Sequence, residues 1–282
     1  MTTGRTIAVL LAVPLAFTAA APASAVPARD AVVLGTPQAA AHAHNDYEHD
    51  RPLHDALEHG FTSVEADVHL VDGELLVAHD AEDVTPGVTL DSLYLDPLDE
   101  LVSGRAGSVY PGWDGEFQLL VDIKGDAEAT WAAIESDLEE HRSMLTRFSN
   151  GKVKQGAVSV VISGNRPLAT MAADRQRLSF YDGRAIDLGS ALPSSIMPLI
   201  SNNWTQLFTW QGVGEMPASE RAKLEAYVAT AHAQGARVRF WATPDLPGAA
   251  REAVWSELAA AGVDHINTDD LPALEAFLAA RG

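Results

Sequence analysis

From Ala39 onward, short β-like runs alternate with stretches whose apolar residues recur at helical spacing. The first kind predicts strands at Ala39–Ala43, Ser63–Val68, Phe117–Ile123, Ala157–Ile162, Leu178–Tyr181, Ile196–Ile200, Arg237–Trp241 and His265–Asn267. The second predicts amphipathic helices carrying Trp131, Ile134 and Leu138, then Leu224, Tyr227, Val228 and Ala231, then Val254, Leu258 and Ala261. Gly235 and Gly262 stand just past two of these helices, where a left-handed cap is wanted, and a strand follows each. Strand–helix alternation implies a parallel sheet, and eight repeats in roughly 250 residues fit a closed (β/α)₈ TIM barrel of the α/β class. The competing open, doubly wound sheet lacks its signature here, because no G-x-G-x-x-G opens a helix. Asp72-Gly73 ahead of Leu75–His79 predicts a hairpin inserted after the second strand. No shift of composition marks a second domain, so residues 39–282 read as one.

The N-terminus follows a different pattern. Arg5 precedes an apolar run, Ile7 to Thr18, too short to span a bilayer, which leads into the small-residue site Ala23-Ser24-Ala25. Residues 1–25 therefore read as a secretory signal peptide and 26–38, rich in Ala and Pro, as a tether. The expected product is secreted and carries no integral membrane segment in its mature form, since no later stretch approaches 18 apolar residues. The oligomeric state is not legible.

Charge and composition narrow the chemistry. A formal charge of -20 repels nucleic acid and anionic leaflets. The absence of cysteine removes disulfides, thiolate metal sites and a cysteine nucleophile, so any metal must sit on His, Asp and Glu. Working residues of such a barrel project from the C-terminal ends of its strands. Three i, i+2 polar pairs fall there: His42-x-His44, Glu65-x-Asp67 and Asp122-x-Lys124. A period of two puts both members of a pair on one face of a strand. Three carboxylates converging in a partly dry mouth repel one another and lose hydration, which a hard divalent cation, Mg²⁺ or Ca²⁺, would relieve. Basic partners are scarce, with only four lysines in the chain and one of them, Lys124, inside the group. His79 closes the predicted hairpin and supplies, with His44, two imidazoles for proton transfer on opposite sides of a reacting centre. The cation and Lys124 can hold charge on phosphoryl oxygens, so the set as a whole describes phosphodiester cleavage.

The motifs AHND at 43–46, SVEADVHL at 63–70, LLVAHD at 75–80 and the later D-x-K resemble the PLC-like phosphodiesterase superfamily. That superfamily holds glycerophosphodiester phosphodiesterases, phosphatidylinositol-specific phospholipases C and spider sphingomyelinase D. HNDYEHDRPLHDAL at 44–57, LLVDIKGDAEATW at 119–131 and RFWATPD at 239–245 are similar to the branch typified by the yeast altered inheritance of mitochondria protein. The resemblance implies His44 and His79 as catalytic histidines, and Glu65, Asp67 and Asp122 as metal ligands. It also implies Lys124 as a cation near the phosphate and Trp241 as an aromatic near the pocket, and Asn45, next to His44, is a further candidate for contact with the substrate. Two departures stand out: the usual opening H-R-G is here His44-Asn45-Asp46, and the third carboxylate is Asp rather than Glu. The expected function is metal-dependent phosphoric diester hydrolysis, or lyase chemistry through a cyclic phosphate, on a (lyso)phospholipid or glycerophosphodiester-type small molecule.

Two rivals share some of these features. Amidohydrolases and PHP-type hydrolases also carry H-x-H after a first strand, but need more histidines at later strand ends, where this chain supplies chiefly Asn, Asp and Trp. A non-catalytic secreted binding protein could use the same scaffold. His42 reads as a packed strand-end residue, and Trp204 and Trp210 as core. Asn165, Asp182, Asn203 and Asp269 follow later strands and are positional candidates for the mouth.

Overall fold

The computed structural model describes residues 1, 2 and 32–281. The leader beyond its first two residues and the first part of the tether lie outside the described residues. The elements run β1 (Gln38–Ala43), α1 (His54–Glu58), β2 (Phe61–Val71), α2 (Asp96–Gly104), β3 (Phe117–Ile123), α3 (Ala127–Glu140), β4 (Val158–Gly164) and α4 (Leu168–Ala173). They continue β5 (Ser179–Gly183), β6 (Leu199–Asn203), α5 (Trp204–Leu207), α6 (Ala218–Ala233), β7 (Arg237–Trp241), α7 (Ala249–Ala261), β8 (His265–Thr268) and α8 (Leu271–Ala279). Each of the eight strands pairs in parallel with the next, and β8 returns to β1, so the sheet closes into a (β/α)₈ barrel.

All eight strands lie where the hydrophobic pattern puts them, with boundary shifts that have local causes. The sixth begins at Leu199 rather than Ile196, because the Ile196 and Met197 amides turn back to the Pro193 carbonyl and Pro198 has no amide hydrogen to give. The fifth runs two residues further, to Gly183. The inserted hairpin is present: Glu74–Val77 pairs antiparallel with the end of β2. Asp72 and Gly73 both take positive φ (52° and 93°), the geometry a two-residue hairpin turn needs. Gly235 and Gly262 have the left-handed conformation expected of helix caps. The last residues of the segment read as a tether run against the barrel, with the Gly35 amide donating to the Leu57 carbonyl (2.9 Å) and that of Gln38 to Gly60 (2.7 Å).

The main core lies between strands and helices. Val64, Ala66 and Val68 of β2 and Leu119, Val121 and Ile123 of β3 point outward onto buried helix residues such as Leu57, Leu98, Trp131 and Ile134. Trp204 and Trp210 belong to this core, as expected. Inside the barrel, Leu120, Val161, Phe180 and Leu199 form one apolar layer, but most other inward positions are polar and buried, among them His42, Ser63, Gln118, Arg239 and His265. No helix among the described residues is long and apolar enough to cross a membrane.

A small three-stranded sheet covers the other end of the barrel. Arg147–Ser149 pairs with Lys152–Lys154 and with Gln176–Arg177, segments that lead into β4 and β5 and therefore lie at the N-terminal ends of the strands. Phe148 plugs the barrel against the inner apolar layer, while Lys152, Lys154 and Arg175 are exposed. Residues 142–177 hold seven basic residues and one acidic one.

Candidate active site

The strand register builds the mouth. Asp67 of β2 lies beside Asp122 of β3, which lies beside Ser163 of β4. Because Glu65 is two residues before Asp67, its side chain enters the barrel one layer deeper on the same face. One oxygen from each of Glu65, Asp67 and Asp122 falls within 4.8 Å of the others. Gly164 makes room for this at the end of β4. It has φ +65°, and a Cβ there would collide with Asp122 Oδ1.

Two cations meet these carboxylates. Lys124 Nζ lies 2.9 Å from Asp67 Oδ2 and 3.2 Å from Asp122 Oδ1. Arg239, on β7 and almost fully buried, donates through its guanidinium to Glu65 Oε2 and to Asn267 Oδ1 (2.9 Å). The expectation that basic partners are too few therefore needs correcting for Glu65, whose partner is an arginine the sequence reading left unassigned. Burial works to raise the Glu65 carboxyl, but Arg239 and the His42 contact outweigh it and hold it well below the usual range. Asp67 goes the other way: burial and the Glu65 charge push it up to about 6 despite Lys124 and Tyr47. Burial raises Asp122 as well.

The histidines divide into three situations. His44 follows β1, and its Nδ1 lies 2.8 Å from Asp269 Oδ1 at the end of β8. Burial opposes its protonation, but the Asp269 hydrogen bond and the Glu65 charge prevail and raise its pKa above the ordinary 6.5. His42 is fully buried, with Nδ1 2.7 Å from Ser63 Oγ and Nε2 3.4 Å from Glu65 Oε2. Burial and the nearby Arg239 push it down to about 3, so it stays neutral. Both of its nitrogens are engaged, which fits the packing role and not the two-histidine metal pair of the amidohydrolase reading. His79 is not drawn onto the carboxylates. It follows Ala78, whose amide donates to the Asp67 carbonyl, but its ring is exposed with Nδ1 3.2 Å from Asp80 Oδ1.

Other candidates are placed as follows. Asn45 adopts the left-handed conformation (φ 45°) that Asn tolerates better than most residues, and its amide donates to Glu48 Oε1 (3.3 Å), within its own turn. Trp241 ends β7 with the Arg184 guanidinium 4.9 Å from its ring centroid. Arg184 is in turn held by buried Asp182 (2.5 Å) and by Ser163. Asn165 donates to the Gly125 carbonyl (2.7 Å) and Asn203 caps α5, so both serve loop backbone. Two residues of the His44 turn, Asp46 and Tyr47, were missed although they lie inside the motif. The Tyr47 hydroxyl donates to Asp67 Oδ2 at 2.7 Å. Asp46, fully buried, accepts from the Leu53 amide (2.6 Å) and the Tyr94 hydroxyl (3.0 Å).

Asp46 has a consequence for stability. Burial pushes its carboxyl up to about 7, more than those two donors lower it. The folded chain then keeps a proton that the unfolded chain has released above about pH 4, so this contribution to stability is full below that pH and is lost as pH rises through about 7. In chelator, the urea midpoint is expected to be higher at about pH 5 than at about pH 7.5, and Asp46→Asn is expected to shrink the difference. An unchanged difference in that variant would remove Asp46 as its source.

The donor set fits a hard cation. It is all oxygen, burial pushes the Asp67 and Asp122 carboxyls up, and Asp67 Oδ1 is buried with no hydrogen-bond partner. Glu65, Asp67 and Asp122 are the residues that could hold it.

Residues 32–182 match the profile of the AIM6-like phosphodiesterase domain, and residues 237–272 that of the glycerophosphoryl diester phosphodiesterase family. The altered inheritance of mitochondria protein 6 homolog of Arthroderma benhamiae is 31% identical, over 84% of this chain and 82% of that protein. Altered inheritance of mitochondria protein 6 of Eremothecium gossypii is 28% identical, over 84% of this chain and 68% of the relative. A solved glycerophosphodiester phosphodiesterase structure from Parabacteroides distasonis superposes with a TM-score of 0.49 at 15% identity, covering 88% of this chain and 99% of the other. The profile spans more than half of the chain and the Arthroderma relative is matched over most of its length, so this chain belongs to the AIM6-like phosphodiesterase family.

Proposed function

We propose that this chain is a secreted, divalent-metal-dependent phosphoric diester hydrolase or lyase. Its substrate is a (lyso)phospholipid or glycerophosphodiester-type molecule, cleaved by acid–base catalysis through a cyclic phosphate. The supporting observation is the convergence at one barrel mouth of three carboxylates, Lys124 and the His44–Asp269 pair. Mg²⁺ or Ca²⁺ held by Glu65, Asp67 and Asp122 supplies Lewis-acid withdrawal of charge from a phosphoryl oxygen. His44 donates its Nδ1 hydrogen to Asp269, which fixes the tautomer whose Nε2 lone pair can accept a proton, and the carboxylate stabilises the imidazolium that forms. The proton comes from a substrate hydroxyl adjacent to the phosphate. That oxygen bonds to phosphorus as the bond to the leaving alcohol breaks, and His79 returns a proton to the alcohol. Lys124 steadies a non-bridging oxygen. Asn45 and Trp241 flank the substrate, the first beside His44 and the second at the end of β7, two strands from β1.

The attack is assigned to the internal hydroxyl because a well-oriented neighbouring group has an effective molarity of up to roughly 10⁵ M or more, beyond the concentration of water. Phosphorus NMR of a single turnover on a lysophospholipid and a glycerophosphodiester, with Mg²⁺ or Ca²⁺ and with chelator, tests the reading. A five-membered cyclic phosphate is expected as first product, with no turnover in chelator and poor turnover of the deoxy analogue. Direct formation of an open monoester carrying solvent ¹⁸O would contradict internal attack, and full turnover in chelator would contradict the metal.

A further inference from the structure

The three carboxylates do not offer all of their oxygens. Glu65 Oε2 is committed to Arg239 and His42, and Asp122 Oδ1 faces Lys124. Asp67 is the most constrained of them, since Oδ2 accepts from the Tyr47 hydroxyl at 2.7 Å and lies 2.9 Å from Lys124, while Oδ1 is buried without a partner. We infer that Tyr47 is a positioning residue for the cation: it occupies Asp67 Oδ2 and so presents Oδ1 alone for ligation. This rests on the metal reading above and extends it to a residue outside the ligand set.

The turn that carries Tyr47 is built to hold it. Asn45 enters in the left-handed region, and Asp46 at the next position is anchored by the Leu53 amide and by Tyr94. The ring of Tyr47 packs against the main core, so its hydroxyl is delivered at a fixed distance. The phenol hydroxyl is a hydrogen-bond donor carried on a rigid ring. A carboxylate free at both oxygens can chelate a cation with both, taking two positions around it. With Oδ2 tied, Asp67 takes one, and a position is kept for a substrate oxygen. Hydrogen-bonding partners of ligating groups typically contribute 10- to 100-fold in metal affinity.

The test is calorimetric titration of Mg²⁺ and of Ca²⁺ into the full chain stripped with chelator, with melting measured in chelator and in saturating ion. Tyr47→Phe keeps the ring and removes the hydroxyl. It is expected to weaken the metal Kd by about 10-fold or more, to raise the ion concentration needed for half-maximal activity by the same factor, and to leave melting in chelator close to wild type. Tyr110→Phe removes a buried hydroxyl that donates to the Leu57 and Phe61 carbonyls and touches neither Asp67 nor the turn, and its metal Kd is expected to stay at the wild-type value. A Tyr47→Phe Kd within twofold of wild type, or equal weakening in Tyr110→Phe, would overturn the inference while leaving the metal reading standing. Wild-type protein that takes up neither ion would overturn the metal reading and the inference with it.

Discussion

His44→Ala is expected to lower kcat on the order of 10²–10⁴-fold, the range for loss of one general acid or base, while the protein melts as wild type does. The cause lies in the pairing with Asp269: a hydrogen-bonded carboxylate both orients the ring and raises its basicity. The same pairing gives a pH signature. The acid limb of kcat/KM should lie above the ordinary imidazole value of 6.5, since activity needs the neutral form of a group whose pKa is raised. Asp269→Asn should move that limb down and cost less than removing His44, because Asp269 is exposed and partly screened. His79→Ala should fall in the same range as His44→Ala, and the double variant far short of the product, as residues acting as a unit do. A wild-type kcat in His44→Ala would end the assignment.

Arg239→Met is expected to destabilise the fold by about 3–5 kcal/mol at neutral pH, the usual cost of breaking a buried ion pair from one side. Arg239 and Glu65 are both buried in the middle of the barrel, and Glu65 loses its guanidinium partner while its charge remains in a dry environment. Its folded-state pKa is depressed, so the stabilisation it reports is present above the ordinary carboxylate range and is lost as pH falls below it. Removing both charges, as Glu65→Leu with Arg239→Met, should recover much of the loss, since two apolar residues leave no charge unpaired. Urea denaturation of the four proteins decides the matter. A loss below about 1 kcal/mol in Arg239→Met would mean that the pair behaves like an exposed one.

The same two residues show what could and could not be read along the chain. Glu65-x-Asp67 and Asp122-x-Lys124 were legible because a period of two is a local rule, and strand register then brought them together as the barrel implied. The hairpin was legible because Asp72-Gly73 is the turn its geometry demands. Arg239 was not, because its partner is 174 positions away and nothing local distinguishes it within RFWATPD. Asp269 was only a positional candidate for a similar reason, its contact with His44 spanning 225 positions. Tyr47 sat in plain view inside the motif, but its use depends on a turn conformation that spacing does not encode. The pairing of His79 with Asp80 joins two neighbours of LLVAHD, but how exposed that ring is depends on the fold of the hairpin, which a motif does not report.

The sheet that plugs the far end of the barrel also sets up a local contrast of charge with the inserted hairpin. Its cations lie opposite a mouth whose inserted hairpin and following loop, residues 72–83, hold five acidic residues and no lysine or arginine. A dipole of that sense near a negatively charged surface turns its plugged end inward and its mouth toward solution. On the proposed reading, a diester dispersed in solution would meet the mouth, whereas one anchored in that surface would meet the back of the barrel. Raising ionic strength shortens the reach of this alignment to a few ångströms, so salt would weaken any preferred orientation of the barrel.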